Sequence, residues 1–425
     1  MRTLTVLTAM AVTAAGLSAQ TASTPRARRV AADVDFLASG ALGGRKTCTA
    51  GNDSAAVYLA RQFRRAGLRP AGDSGTYLQR WTVGNATASR NAGIAGCHTE
   101  NVAAMIPGAG SLAGETVILG AHFDHLGTGG FGSSMAQGAD TLLVHPGADD
   151  NASGTAAIVE LARTLASNRR DLGRNHRTIL FLAWNAEEEG DLGSAFYSDH
   201  PSRPLDSAIA YLNFDMVGRL RERKLLVLGA RTAAEWPALI DSVNERWHLD
   251  VRASGDGWGA SDQASFTAHQ RPTLFFFTDL HQDYHRPSDT ADKIDADGIV
   301  DVVDFAADVA RRLAVRPRML TYVDVPQPPS VMASEPGRTR PVLGTIPDMT
   351  EEPGGVRLSG VRTGSPADLA GMRAGDILIG MASDTIANLQ DFQNALMKHS
   401  GGERVEVRYL RGGQVVRVMV TLGGR

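Results

Sequence analysis

Two spacings of apolar residues run through this sequence. Runs at 116–120, 178–184, 208–214 and 273–277 are short and continuous, the pattern of strands buried on both faces. Two more strands are predicted at 76–83 and 100–106. Elsewhere the period is that of a helix. Residues 54–67 carry Val57, Leu59, Ala60 and Phe63 with arginines between them and stop at Gly67. From Ser153, read as a cap, Ile158, Leu161, Ala162 and Leu165 share one face. Further helices are predicted at 30–37 and 299–313. Strands alternating with helices predict an α/β domain with a mostly parallel central sheet and helices on both faces, its ligands lying beyond the carboxyl ends of the strands.

The texture changes after residue 316. Residues 317–340 are proline-rich, contain PQPP, and read as a semi-rigid linker. Residues 341–425 follow as a small β-rich domain, with strands at 355–361, 376–381, 404–410 and 415–422 and a helix at 389–398. With a main domain over 25–316, this gives the two globular units that a chain of 425 residues leads one to expect.

Composition adds compartment and excludes some partners. Arg2 precedes an uncharged apolar run over 4–17 and the small residues Ser18 and Ala19, which predicts a signal peptide over 1–20 and export to the periplasm or the exterior. That run is short for a bilayer span and no other stretch approaches the length, so no stable membrane span is expected. A net charge of -3 with 21% charged residues gives no global basic field, which argues against nucleic acid as a partner. Cys48 and Cys97 are the only cysteines. In an oxidising compartment they imply one disulfide, contributing roughly 4 kcal/mol by loop closure; the alternative is two unrelated small core residues.

Carboxylates and imidazoles gather around the predicted strand ends. AHFDHLG holds His122 and Asp124, PGADDNASG holds Asp149 and Asp150, NAEEEG holds Glu187 and Glu188, NFDM holds Asp215, and DYHRPSDT holds His285. Singly these are weak signals, since paired aspartates are usually surface turns and runs of glutamate usually solvated helix starts. Their order and placement point to a two-metal hydrolytic site, which needs histidine and carboxylate ligands, a bridging carboxylate and a base that is not a ligand.

Taken together, the motifs resemble the zinc aminopeptidase family twenty-eight of the metallopeptidases, over most of residues 30–315. The resemblance implies a zinc aminopeptidase-like fold and two zinc ions per chain. By it, His122 and Asp215 hold one ion, Glu188 and His285 the other, and Asp150 bridges them, with a cis peptide bond after Asp150. Glu187 is implied as general base, and Asp124 as the partner of the second ring nitrogen of His122. One departure leaves the oxyanion donor open: Trp258 stands where family members can carry a tyrosine, four residues before the run SDQASF. Asp262 in that run is a pocket residue or a loop cap. His125 is expected behind the ligands, His145 in a structural role, His281 lining the pocket, His98 in a loop, and Glu189 solvated or packed.

In the last domain, GSPADLAGMRAGDILIGM closely resembles the PDZ domain, with PVLGT at 341–345 as its carboxylate-binding loop. That resemblance implies an extended peptide or protein C-terminus added at a sheet edge, or a PDZ fold that only packs against the main domain. The two resemblances together imply an exported di-zinc metallo-aminopeptidase acting on peptide substrates. A glutaminyl-cyclase-like enzyme with one zinc, a carboxypeptidase or dipeptidase, and a catalytically silent peptide-binding protein remain alternatives.

Overall fold

The computed structural model describes residues 22–129, 133–136, 138–259, 261–327, 339, 341–350 and 352–424. The predicted leader and residues 328–338 of the predicted linker lie outside the described residues. A nine-stranded sheet organises the first unit: β1 (Arg69–Pro70), β2 (Leu78–Thr82), β3 (His98–Ile106), β4 (Thr116–His122), β5 (Thr178–Trp184), β6 (Ala208–Phe214), β7 (Lys224–Leu228), β8 (Asp250–Ser254) and β9 (Thr273–Phe277). The spatial order is β1-β3-β5-β4-β6-β9-β7-β8, with β2 also paired to β3. β5, β4, β6 and β9 run parallel in the centre, while β3 meets β5 and β7 meets β9 antiparallel. The sheet is therefore parallel at its centre and mixed toward its edges, and the candidate site residues follow the parallel strands.

Helices cover both faces: α1 (Pro25–Leu37), α2 (Ala50–Arg65), α3 (Thr87–Ala92), α4 (Gly154–Ser167), α5 (Leu192–Asp199), α6 (Trp236–Trp247), α7 (Gln263–Ala268) and α8 (Ala296–Val315). The larger core packs residues of α1, α2, α4, α6 and α8 on one face of the sheet, among them Val34, Phe63, Leu161, Ile240 and Phe305. Tyr197 of α5 and Phe266 of α7 pack with Ile118, Leu182 and Trp184 on the other. β4, β5 and β6 are buried along their whole length. That explains their legibility as unbroken apolar runs, each large side chain contributing about 1.5–3 kcal/mol by burial.

Element ends differ from the predicted ones where a cap decides them. Thr24 accepts from the Ala27 N–H with Pro25 at the first helical position, so α1 begins before residue 30. Thr49 accepts from Asn52 N–H and starts α2 before residue 54. At α4 the predicted Ser153 cap makes no such bond. Asn151 takes that role: its side-chain oxygen accepts from the Gly154 N–H at 2.9 Å, while its amide donates to Phe214 O at 2.9 Å. β4 runs through His122, so that residue ends the strand instead of following it. The Asp150–Asn151 peptide bond is cis, and Cys48 and Cys97 form a disulfide with Cα atoms 6.4 Å apart.

The second unit comprises β10 (Pro341–Val342), β11 (Thr345–Pro347), β12 (Val356–Val361), α9 (Pro366–Leu369), β13 (Ile377–Met381), β14 (Asp384–Thr385), α10 (Leu389–Met397), β15 (Arg404–Arg411), β16 (Gln414–Thr421) and β17 (Gly423–Gly424). β11, β12, β13, β15 and β16 form an antiparallel sheet with its own core around Leu358, Leu378, Phe392 and Val407. The two units touch: Lys224 Nζ lies 3.1 Å from both Asp279 and Asp348, and Met349 packs against the cluster of Met216, Leu226, Phe275 and Phe277. The residues just after α8 are also held. Thr321 N–H donates to Glu235 at 2.9 Å and Val323 N–H to Thr232 O at 2.9 Å. No helix among the described residues is long and apolar enough to cross a membrane.

Candidate metal centre

Five segments bring their side chains to one place. His122 ends β4, Asp215 follows β6, Glu187 and Glu188 come shortly after β5, Asp150 precedes α4, and His285 lies in the loop after β9. Asp150 Oδ1 lies 3.4 Å from His122 Nε2, and Asp215 Oδ1 is also 3.4 Å from that nitrogen. Asp150 Oδ2 is 2.9 Å from His285 Nε2, and Glu188 Oε2 is 3.3 Å from it. All five predicted ligands are thus brought together, and all are at least nine-tenths buried.

The donor atoms fit a cation. Both ring nitrogens of His122 and Oδ1 of Asp215 are buried without a hydrogen-bond partner, an arrangement that costs free energy unless something positive satisfies them. Two sets have donor atoms all within 4.8 Å of one another: His122, Glu187 and Asp215, and His125, Asp150 and Glu188. These differ from the predicted ligand sets by including Glu187 and His125, by leaving out His285, and by placing Asp150 in one set only. His125, expected behind the ligands, has its Nδ1 2.7 Å from Glu188 Oε1, and its Nε2 has no hydrogen-bond partner.

A layer of buried groups holds these side chains in position. Asp124 Oδ1 is 3.7 Å from His122 Nδ1, and its carboxylate accepts the Glu187 N–H at 3.1 Å and the Glu188 N–H at 3.2 Å. One aspartate therefore holds the backbones of both glutamates and faces the imidazole. Asp289 Oδ2 accepts the N–H groups of Asp149 and Asp150 at 2.8 and 3.1 Å, while Arg219 bonds its other oxygen at 3.0 Å. Arg45 is fully buried and donates to the carbonyls of Phe123 at 2.8 Å and Gly147 at 2.9 Å, and also to those of Leu37 and Pro146. Gly147 has φ +58, and a Cβ there would collide with the Asp150 carbonyl and the His125 ring, so only glycine fits that turn. Ala186, Met216 and His285 adopt left-handed φ of 61, 51 and 56°. Each is a ligand or flanks a candidate site residue, the kind of place where backbone strain is retained.

Electrostatics separates the groups. Burial, the largest influence on His122, opposes its charged form, yet Glu187 and Asp215 raise its pKa well above the ordinary value. His285 rises to about 9 against the same opposition, through Glu188 and Asp150. Asp150 falls well below the usual carboxylate range: burial works the other way, but the neighbouring imidazoles of His122 and His285 prevail.

The remaining predicted residues sort differently. The Trp258 indole N–H donates to Val325 O at 2.8 Å, so it is committed away from the site. Asp262 is fully buried and both its oxygens lack a hydrogen-bond partner, which rules out a loop cap. His281 is buried against Asp149 at 3.1 Å, and His145 lies 2.9 Å from the Ser134 hydroxyl. His98 opens β3 and contacts Thr82. Glu189 is within 3.2 Å of Thr47, and burial pushes its carboxyl to about 8. Sequence reasoning did not single out Arg45, Arg219, Asp289 or Tyr284. The Asp289 signal was there, in DYHRPSDT four residues after His285. Tyr284 stands in the same run, next to His285, whereas Arg45 and Arg219 carry no local signal because their partners lie far along the chain.

The fold is that of zinc aminopeptidases. The zinc aminopeptidase BSAP from Bacillus subtilis superposes with a TM-score of 0.51 at 18% identity, covering 70% of this chain and 98% of that one. A Zn-dependent exopeptidase from Parabacteroides distasonis does so with a TM-score of 0.53 at 19% identity, covering 69% and 98%. By sequence, a probable leucine aminopeptidase of Arthroderma otae is 28% identical, over 49% of this chain and 57% of its own length. The chain spans little more than half the length of the curated relatives it matches. Residues 101–310 match the model of Peptidase family M28 and residues 341–422 that of the PDZ domain. By these matches residues 101–310 resemble peptidase family M28, and a PDZ-like segment follows them.

Proposed function

We propose that this is an exported metallo-aminopeptidase that uses two zinc ions to release N-terminal residues from peptides. One observation carries the reading. The two oxygens of Asp150 face different partners, Oδ1 toward His122 and Oδ2 toward His285, as a carboxylate shared by two cations would. His122 and Asp215 would hold one ion, Glu188 and His285 the other, and Asp150 both. When bound, the ions would polarise the scissile carbonyl and lower the pKa of a water molecule.

The chain's own residues supply the rest. Glu187 Oε2 is 3.8 Å from His122 Nε2, close enough to the ligands to take a proton from that water and return it to the departing amine. Asp124 keeps the His122 ring and the two glutamate backbones in register. With Trp258 committed elsewhere, Tyr284 is the better candidate for the oxyanion donor. Its ring stacks on His285 at 3.7 Å, and the site carboxylates are among the causes that raise its pKa. Asp191 and Asp262 are buried acids within electrostatic reach of His122; burial raises both carboxyls, Asp191 to about 7, and an incoming ammonium would favour their ionised forms where a carboxylate would oppose them, which supports amino- over carboxypeptidase action. Export is supported by the apolar leader and by the Cys48–Cys97 disulfide.

The test is metal analysis of the purified full-length protein together with a panel of aminoacyl anilides and carboxypeptidase substrates. Two zinc ions per chain with aminoacyl release is the expected result. One zinc ion would favour cyclase chemistry, and inertness in added zinc would remove the enzymatic reading.

A further inference from the structure

The peptidase site and the PDZ groove open into one space. A cavity of about 1140 Å³ is walled by His285 and Tyr284 on one side and by residues 343–345 with Phe392 and Leu396 of α10 on the other. β11 begins at Thr345, where that loop ends, and has a single paired neighbour, β12, among the described residues, so its other edge is open to an added strand. Arg286, next to the candidate ligand His285, lines the same cavity. Its Nε is buried without a hydrogen-bond partner, and it forms no ion pair among the described residues. The cavity thus joins a centre suited to an amino terminus with an open strand edge and a cation lacking its anion.

We infer that one peptide occupies both ends of this cavity, its amino terminus at the metal centre and its C-terminal carboxylate on the 343–345 loop, Arg286 supplying positive charge along the way. The inference rests on the aminopeptidase reading and narrows its substrate class to short peptides with a free C-terminus. An extended chain advances about 3.3 Å per residue, so a peptide that is too short cannot reach the loop and a longer one must bulge. Anchoring the distant carboxylate adds binding that a single-residue substrate lacks. A hydrogen-bonded charged group of this kind is worth about tenfold or more in affinity.

The experiment uses the full-length, zinc-loaded protein and a length series of leucyl peptides, each with a free or an amidated C-terminus, with leucyl anilide as reference. Amidation is expected to raise KM about tenfold once a threshold length is passed. Leu396→Glu, which places a negative charge in the groove, should abolish that penalty. Should this variant fold poorly, an N-acetylated peptide with a free carboxylate provides the second measurement: it should compete with peptide cleavage, and its amide should not. Cleavage of the anilide with no amidation penalty at any length overturns this inference alone. A penalty equal at all lengths also overturns it, by placing carboxylate recognition next to the metals. Failure to cleave the anilide overturns the aminopeptidase reading and this inference with it.

Discussion

Glu187 and Glu188 are adjacent in sequence, yet their carboxyl groups are driven in opposite directions. Burial is the largest influence on each and raises both. At Glu188 the imidazoles of His285 and His125 overcome it, and the pKa falls below its ordinary value. At Glu187 the neighbouring carboxylates of Asp191, Glu188 and Asp215 add to burial, His122 offsets them only in part, and the pKa rises well above. In the proposed reading, neighbours pushed apart in this way would divide the labour between a proton carrier and a ligand.

Glu187→Gln should therefore keep its metal and lose turnover by about 10²–10⁴-fold, the usual worth of a positioned general base. Metal analysis and steady-state kinetics on the same preparation check it. Unchanged turnover would remove Glu187 from the proton path.

Asp289 accepts the N–H of the predicted bridging residue Asp150 and that of Asp149 before it. Asp289→Ala should lower zinc affinity by about 10–100-fold, the range seen when a ligand's support is removed. Competition against a zinc chelator reads this directly, with circular dichroism to show that the fold is retained.

Arg45 satisfies four carbonyl oxygens in the interior. Arg45→Met keeps much of the volume and strands those acceptors, so a loss of about 3 kcal/mol or more is expected in urea unfolding. Wild-type stability in the variant would show that the loops find other donors.

Cys48 and Cys97 are joined across a sequence separation of 49 residues. Replacing both with serine should cost about 2–4 kcal/mol and lower Tm, with no change in the number of bound metal ions. Thiol titration of the unfolded, unreduced wild type should find no free cysteine.

The contact between the two units should depend on pH through Lys224 and Asp348. Burial opposes the charged form of each and is the largest influence, but Asp279 and Asp348 raise the Lys224 pKa, and bonds from Thr350 and Lys224 lower that of Asp348. A depressed carboxyl stabilises above its unfolded pKa and loses that contribution as pH falls through its native value. A raised lysine stabilises below its unfolded pKa and loses the contribution as pH rises through its native value. The contact is therefore fullest between about pH 5 and pH 9 and fades on both sides. Limited proteolysis between the units across pH checks this, and Lys224→Met should flatten the response.

Much of the centre of the molecule could be read from the sequence because it is buried on both faces. β4, β5, β6 and β9 contain few polar residues to interrupt the run, and the predicted ligands sit in short motifs beside their ends. The edges were harder to read. β8 is largely exposed and shows no apolar run, and the stretch containing β7, α6, β8 and α7 gave no clear prediction. Caps misled at Ser153, where the side chain of Asn151 is the acceptor instead. Supports such as Arg45 and Arg219 were silent because each joins segments distant in sequence, and no local pattern records that.

Arg45 also shows how far the peptidase unit extends. The matched segment spans residues 101–310, but this arginine, with α1 and α2 around it, lies upstream and clasps the turn that presents Asp150. A protein trimmed to the matched boundaries would keep every candidate ligand and lose the clasp that shapes their pocket. Expression, domain exchange or directed evolution of this peptidase should therefore start before α1, whose last residue, Leu37, is held by the same arginine.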